Sequence, residues 1–315
     1  MNKNFLFQRD EFIREIYKTA IKNKKIFFLS ADFGAPALDD FRFKLKSQFL
    51  HLGICEQNMV DFAAGLALEG NKVYIYAMAP FLSLRSIEQH KTATCLMDLD
   101  VCSIVTGIGL SYANSGPTHY STEDFACLKS IPNCEIYTAS DPFVAQLIAK
   151  QTISNNKPKF VRLDRKGGLN LDKKLYLSQI KDGFRFLKRC NKKKSDSICI
   201  VSHGTIIERT LVAAMNLEEK YQSKISIVDV IRSKPFPKKL KNEMSKYKSI
   251  LTLDEQSSQG SLGSLIYENL LRKQQIISLS LPDKFIFENI GRSNLLDING
   301  LSIQNIKKNI LNLIK

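Results

Sequence analysis

Residues 51–79, HLGICEQNMVDFAAGLALEGNKVYIYAMA, hold the alternation that decides the fold. A short strand-like run leads into Glu56, a charge-poor helical pattern follows, and after Gly70 comes a second apolar run, KVYIYAMA (72–79). The run does not alternate cleanly between apolar and polar residues, as expected of a parallel strand covered on both faces. Comparable runs recur at IFFLSADF (26–33), VCSIVTGI (101–108), EIYTAS (135–140) and KFVRLD (159–164), with helical patterns such as EFIREIYKTAIKN and DPFVAQLIAKQTI among them. Residues 166–196 break the rhythm with Gly167, Gly168 and clustered lysines, the composition of an exposed connection. A second unit then begins, with strand patterns SICIVSHGT (197–205), KISIVDVI (224–231) and SILTLDE (249–255), the last followed by a glycine-containing turn and the helical SLIYENLLRK. The expected fold class is α/β, with two domains on mostly parallel sheets.

Glu56 is out of place in this pattern. Its neighbours include Ile54, Met59, Phe62, Ala63, Ala64 and Leu66, whereas an ordinary glutamate lies on a solvated helix face. A helix-start carboxylate favoured by the dipole is the plain explanation. A buried functional acid is the other.

Composition narrows the classes. The chain has 315 residues, enough for one large or two ordinary domains, and 44% of them are apolar. The net charge of +15 is carried by scattered lysines (22, 24 and 25; 192–194; 238, 239 and 241), with no aromatic-interleaved stripe or nucleic-acid motif. A solvated surface accounts for it, and anionic small substrates suit such a field. The seven cysteines are odd in number and form no C-x-x-C pair, so they read as reduced core residues of a cytoplasmic protein. MNKNFLFQRDEF lacks a signal-peptide stretch, and no apolar run approaches the ~18 residues of a membrane helix.

Polar residues gather where strands end, the place at which open parallel sheets hold ligands. Ser30-Ala31-Asp32 is one such group, the Glu56 segment another, and Ser115-Gly116-Pro117-Thr118-His119-Tyr120 a third. A lone histidine in a turn is usually unremarkable, so His119 depends on its company. That company is GICEQNMVDFAAGLALEG, APFLSLRSIEQ and SGPTHYSTEDFACLKSIPN, in that order. Together they resemble the transketolase family of thiamin-diphosphate enzymes, and more closely the C-terminal half found as a separate chain in split transketolases. The resemblance spans almost the whole chain. It implies a pyrimidine-binding domain over 1–170, a linker over 171–195 and the family's C-terminal domain over 196–315, where LDEQSSQGSLGSLIYE matches the acidic-then-glycine turn.

The resemblance also assigns roles. Glu56 would meet N1′ of the cofactor's aminopyrimidine and favour the imino tautomer that deprotonates C2, the cofactor carrying the electrons. Phe81, 25 residues on, would pack on that ring with Leu84 and Ile87 beneath it at helical spacing; without the resemblance the three read simply as core. His119 would face the substrate's hydroxyl and carbonyl end and move a proton or polarise the carbonyl. Asp32 matches an aspartate near the thiazolium and substrate channel. Arg9, 23 residues before Asp32, and Arg165 in VRLDRKG match arginines for a sugar phosphate, which their planar forks suit.

Two departures bear on the substrate. Ser115 stands where the family has an aspartate that reads a substrate hydroxyl, and another family histidine is replaced near Gly107. A specialised sugar substrate is therefore expected. The family's G-D-G motif for the diphosphate and Mg²⁺ is absent, as are a P-loop and any carboxylate cluster with metal-ligand spacing. The resemblance thus implies a partner chain, an N-terminal transketolase subunit holding the diphosphate end and Mg²⁺, in a pair of heterodimers. The rivals are a deoxyxylulose-phosphate synthase, disfavoured by Pro117 and STEDFACLKSIPN, the β subunit of a 2-oxo-acid dehydrogenase, and a non-catalytic partner that retains the fold.

Overall fold

The computed structural model describes residues 7–31, 34–165, 181–270 and 274–314. The first half contributes strands β1 (Ile26–Ser30), β2 (Phe49–His51), β3 (Lys72–Met78), β4 (Val101–Thr106), β5 (Glu135–Thr138) and β6 (Lys159–Leu163). The second contributes β7 (Phe184–Lys188), β8 (Ile198–Ser202), β9 (Ile225–Val230), β10 (Arg232–Lys234), β11 (Ser249–Ser257) and β12 (Gln275–Leu281). One sheet has the order β10-β5-β6-β4-β3-β1-β2 and the other β12-β11-β8-β9-β7. Pairing is parallel throughout, except that β10 runs antiparallel to β5 and β7 antiparallel to β9. The α/β reading with mostly parallel sheets is therefore correct.

Both faces of the first sheet are covered, which is why its strands show no alternation. Phe28, Tyr74, Tyr76, Cys102 and Ile104 face a core shared with helices Gln8–Ala20, Leu38–Lys44 and Pro142–Ile153. Leu29, Val73, Ile75, Val101 and Val105 face the opposite core, built with Met59, Val60 and Ala63 of the Glu56–Leu68 helix. Each such aliphatic side chain contributes about 1.5–3 kcal/mol by leaving water. The second sheet repeats the plan, with Ile200, Ile227 and Leu251 on one face and Val201, Val228 and Ile250 on the other. Asp141 caps the Pro142–Ile153 helix by accepting from Val144 N at 2.8 Å, and Pro142 fixes its first turn.

The structure differs from the sequence reading in the connection. Part of the expected 171–195 linker, Phe184–Lys188, is strand β7 of the second sheet. Lysine-rich surroundings hide it, because an antiparallel edge strand needs only one apolar face. All seven cysteines are free, and Cys95, Cys102, Cys134 and Cys199 are buried. Among the described residues, no helix is long and apolar enough to cross a membrane.

Candidate active site at the strand ends

The site forms at the C-terminal edge of the first sheet, where loops leave parallel strands. Glu56 follows β2 and opens the Glu56–Leu68 helix. It is 3% exposed, and its Oε2 accepts from Arg85 Nη1 at 2.7 Å. Arg85 lies over the Phe81 ring, with Cζ 4.5 Å from the centroid. Phe81 in turn meets His119 edge-on, with ring centroids 5.4 Å apart, and His119 faces Tyr112 at 6.5 Å. Arg165 Cζ stands 5.1 Å from the Tyr112 ring centroid. Glu56, Arg85, Phe81, His119, Tyr112 and Arg165 therefore form one unbroken line of contacts, although 109 positions separate its ends in the chain.

Local geometry explains the placements. The segment after β3, Phe81–Arg85, is a π-helix, with turns wider than α-helical ones. Arg85, four residues on, then returns over Phe81. Ile87 instead packs against the cluster of Cys95, Phe125 and Phe160, and Leu84 is half-buried. The α-helical spacing assumed for Phe81, Leu84 and Ile87 is interrupted here by the wider π-helical turn. The loop after β4 turns at Gly107 and Gly116, whose φ values of +92° and +77° suit glycine. At the second turn His119 N donates to Gly116 O at 3.0 Å. The His119 ring Nδ1 lies 3.0 Å from Thr118 Oγ1, and Ser115 is exposed at the turn's start.

The chain neighbours of Arg9 and Arg165 are tied to each other. Gln8 Oε1 accepts from Asp164 N at 2.9 Å across 156 positions, so the first helix begins where β6 ends. Arg9 Nε lies 3.5 Å from Asp10 Oδ1, and Arg9 Nη1 donates to Gly34 O at 3.4 Å. Burial raises the Tyr112 phenol, while the charges of Arg165 and then Arg9 pull it down. Asp32 lies outside the described residues.

Behind the site, the second domain grips the loop after β4. Arg292 Nη1 pairs with Asp164 Oδ2 at 2.6 Å, and its Nη2 donates to Glu255 Oε1 at 2.8 Å. Glu255 Oε2 accepts from Leu110 N at 3.1 Å, and a Cβ on Gly109 would come within 2.7 Å of the Glu255 side chain. Gln256 Oε1 accepts from Phe125 N, and its Nε2 donates to Ser121 O. The acidic segment of LDEQSSQGSLG therefore joins the domains. Among the described residues, no group of His, Cys, Asp and Glu is placed to hold a metal ion. A cavity of about 390 Å³ is lined by Pro117, Tyr120 and Phe285 and not by Glu56, Phe81 or His119.

Sequence reasoning missed Arg85 and Tyr112. Arg85 sits in the quoted APFLSLRSIEQ, but its partner Glu56 lies 29 positions away. Tyr112 offered no signal beyond its place between Gly107 and Gly116.

The chain is a two-domain α/β protein with a buried acid, an aromatic ring and a histidine gathered at the strand ends of a mostly parallel sheet. Residues 9–168 match the family model of the transketolase pyrimidine-binding domain, and residues 189–306 that of the transketolase C-terminal domain. The chain belongs to the transketolase family. It is 30% identical over 310 residues to a 1-deoxy-D-xylulose-5-phosphate synthase of Clostridium perfringens, aligning 96% of this chain with 48% of that protein. The chain thus spans about half the length of such synthases. It is 27% identical to one subunit of the apulose-4-phosphate transketolase of Phocaeicola vulgatus, over 100% of both chains. A split-gene transketolase in an inactive β4 tetramer shares the fold, with a TM-score of 0.84 at 24% identity over 98% of each chain. Transketolase of Campylobacter jejuni does so at 0.80 and 18% identity, over 98% of this chain and 47% of that one.

Proposed function

We propose that this chain is the C-terminal subunit of a split, thiamin-diphosphate-dependent transketolase that moves a two-carbon ketol unit from a ketose donor to an aldose acceptor. The observation that carries the reading is the line Glu56–Arg85–Phe81–His119, which sets a buried carboxylate, an aromatic face and an imidazole side by side. These residues fit the aminopyrimidine end of thiamin diphosphate: Glu56 is a buried acceptor at a helix start, and Phe81 is a half-buried aromatic ring carrying Arg85 over it. When bound, the cofactor supplies the electron sink for breaking and forming the carbon–carbon bond.

The chain's own residues do the rest. Glu56 holds a proton at the ring nitrogen that it meets. Phe81 excludes water from that ring. His119 keeps Nδ1 toward Thr118 and offers Nε2 to the substrate's hydroxyl or carbonyl oxygen, where it gives or takes a proton. Arg9 and Arg165 hold the anionic tail. Ser115, in place of an acid, leaves the neighbouring hydroxyl site neutral, which favours a specialised sugar over the ordinary pentose phosphates. The diphosphate and Mg²⁺ belong to a partner subunit, and two copies of each chain assemble in the cytoplasm. Correspondence along the full length of a single transketolase subunit supports this division of labour.

A second reading, a deoxyxylulose-phosphate-synthase-like half, draws on the 30% identity over 310 residues. The deciding experiment is calorimetry of thiamin diphosphate with Mg²⁺, on this chain alone and mixed with its candidate partner, followed by a donor screen. Uptake only in the mixture, with turnover of apulose 4-phosphate or another ketose phosphate, is expected. Tight uptake by the chain alone would overturn the half-site, and consumption of pyruvate with release of CO₂ would establish the second reading.

A further inference from the structure

Gly107 and Tyr112 share one space. A Cβ at position 107 would fall 1.9 Å from Tyr112 Cε2 and 2.5 Å from Cδ2, so the tyrosine ring fills the volume that a side chain at 107 would enter. The loop is built around this arrangement. Gly107 has φ +92°, its N–H donates to Leu163 O at 2.8 Å, and Ser115 N donates to Tyr112 O at 2.8 Å. The ring is 5% exposed and lies between two groups assigned to the substrate, with His119 at 6.5 Å and Arg165 at 5.1 Å. Its hydroxyl is buried and, among the described residues, has no hydrogen-bond partner. An unmet buried hydroxyl costs roughly 1–3 kcal/mol, so one retained beside two arginines calls for an acceptor. Phenylalanine would fill the same volume without that cost.

We propose that Tyr112, occupying the space left by Gly107, is a specificity-determining residue that donates its hydroxyl to the phosphate or neighbouring oxygen of the substrate's anionic end, between Arg9 and Arg165. The proposal rests on reading this cleft as a sugar-phosphate site. It explains how the loop dispenses with a side chain at 107: a phenol reaching from 112 replaces the contact from another direction and shortens the room for the sugar. Burial raises the phenol's affinity for its proton and Arg165 and Arg9 oppose it, so near neutral pH the group is a neutral donor facing cations, ready for an oxyanion.

The test is titration of the full chain with ribose 5-phosphate, and separately with phosphate-free ribose, for the parent, Tyr112→Phe and Arg165→Ala. Tyr112→Phe keeps the ring and its contact with Arg165. We expect it to weaken ribose 5-phosphate binding about tenfold, the factor for one hydrogen bond to a charged group, with ribose binding and melting temperature unchanged. Arg165→Ala should weaken ribose 5-phosphate binding at least as much. Equal affinity of Tyr112→Phe and the parent overturns the proposal, and so does an equal loss for ribose, which would mark a structural effect. Absence of binding by the parent of both ribose 5-phosphate and inorganic phosphate, the sugar-independent probe, also overturns it. Cofactor uptake by the mixed chains is read separately: its failure sinks the functional reading while the anion result on the single chain still stands.

Discussion

At the scale of single residues, the proposed chemistry turns on Glu56 and its partner Arg85. A carboxylate that is 3% exposed needs a partner, and Arg85 supplies one at 2.7 Å from a side chain that is itself partly exposed. Glutamine at 56 can still accept Arg85's hydrogen bond through its amide oxygen, so the fold should tolerate it. It cannot hold or release the proton that the proposed reaction needs. Glu56→Gln should therefore lower turnover of the assembled enzyme by at least about 100-fold, the lower range for loss of a positioned acid–base group, with little change in melting temperature. An unchanged rate in a steady-state assay would favour a non-catalytic partner subunit.

At the scale of elements, the end of β11 turns from core strand into a polar connector. Asp254 Oδ2 accepts from Leu262 N at 2.6 Å and lies 3.7 Å from His203 Nε2, both groups being buried. Burial pushes the Asp254 carboxyl up to about 7 and pushes the His203 ring well below its usual value. The two have opposite consequences. Between about pH 4 and 7 folded Asp254 retains a proton that the unfolded chain has lost, so its contribution to stability falls as pH rises. Below about pH 6.5 the unfolded chain protonates a histidine that stays neutral when folded, so that contribution rises with pH. In the parent the two slopes offset each other between about pH 4 and 6.5. Asp254→Asn keeps an acceptor for Leu262 but removes one slope. Urea denaturation should show its stability gaining on the parent's by more than about 1 kcal/mol between pH 5 and 7; a pH-independent difference would contradict the buried protonated carboxyl.

At the scale of the whole molecule, charged side chains hold the two domains in register. Arg292 joins Asp164 of the first domain to Glu255 of the second. Arg185 of β7 pairs with Asp229 at 2.8 Å and with Asp141 of the first domain at 2.7 Å. Strand β10 also leaves the second domain's chain to extend the first domain's sheet. Glu255 and Asp164, both paired with Arg292, also accept from Leu110 N and Ser111 Oγ, so these ion pairs anchor the loop that continues to Tyr112 and His119. Arg292→Met leaves two buried carboxylates without their shared cation and should cost about 3–5 kcal/mol. Differential scanning calorimetry should show a lower melting temperature; an unchanged one would mean that β10 and the Arg185 cluster suffice.

The sequence by itself determined the α/β class, eight of the strands and the family, because apolar runs of strand length and polar residues at their ends are local signals. It also singled out Glu56, Phe81, His119, Arg9 and Arg165, since each sits in or beside a quotable motif. It did not disclose β7 or β10, edge strands whose pairing is set by distant chain, nor the π-helical turn in which Arg85 lies over Phe81. Those were decided by the tertiary structure, as was the volume shared by Gly107 and Tyr112. The physical reason is the same in each case: contact depends on backbone path and packing volume, which spacing along a chain does not encode.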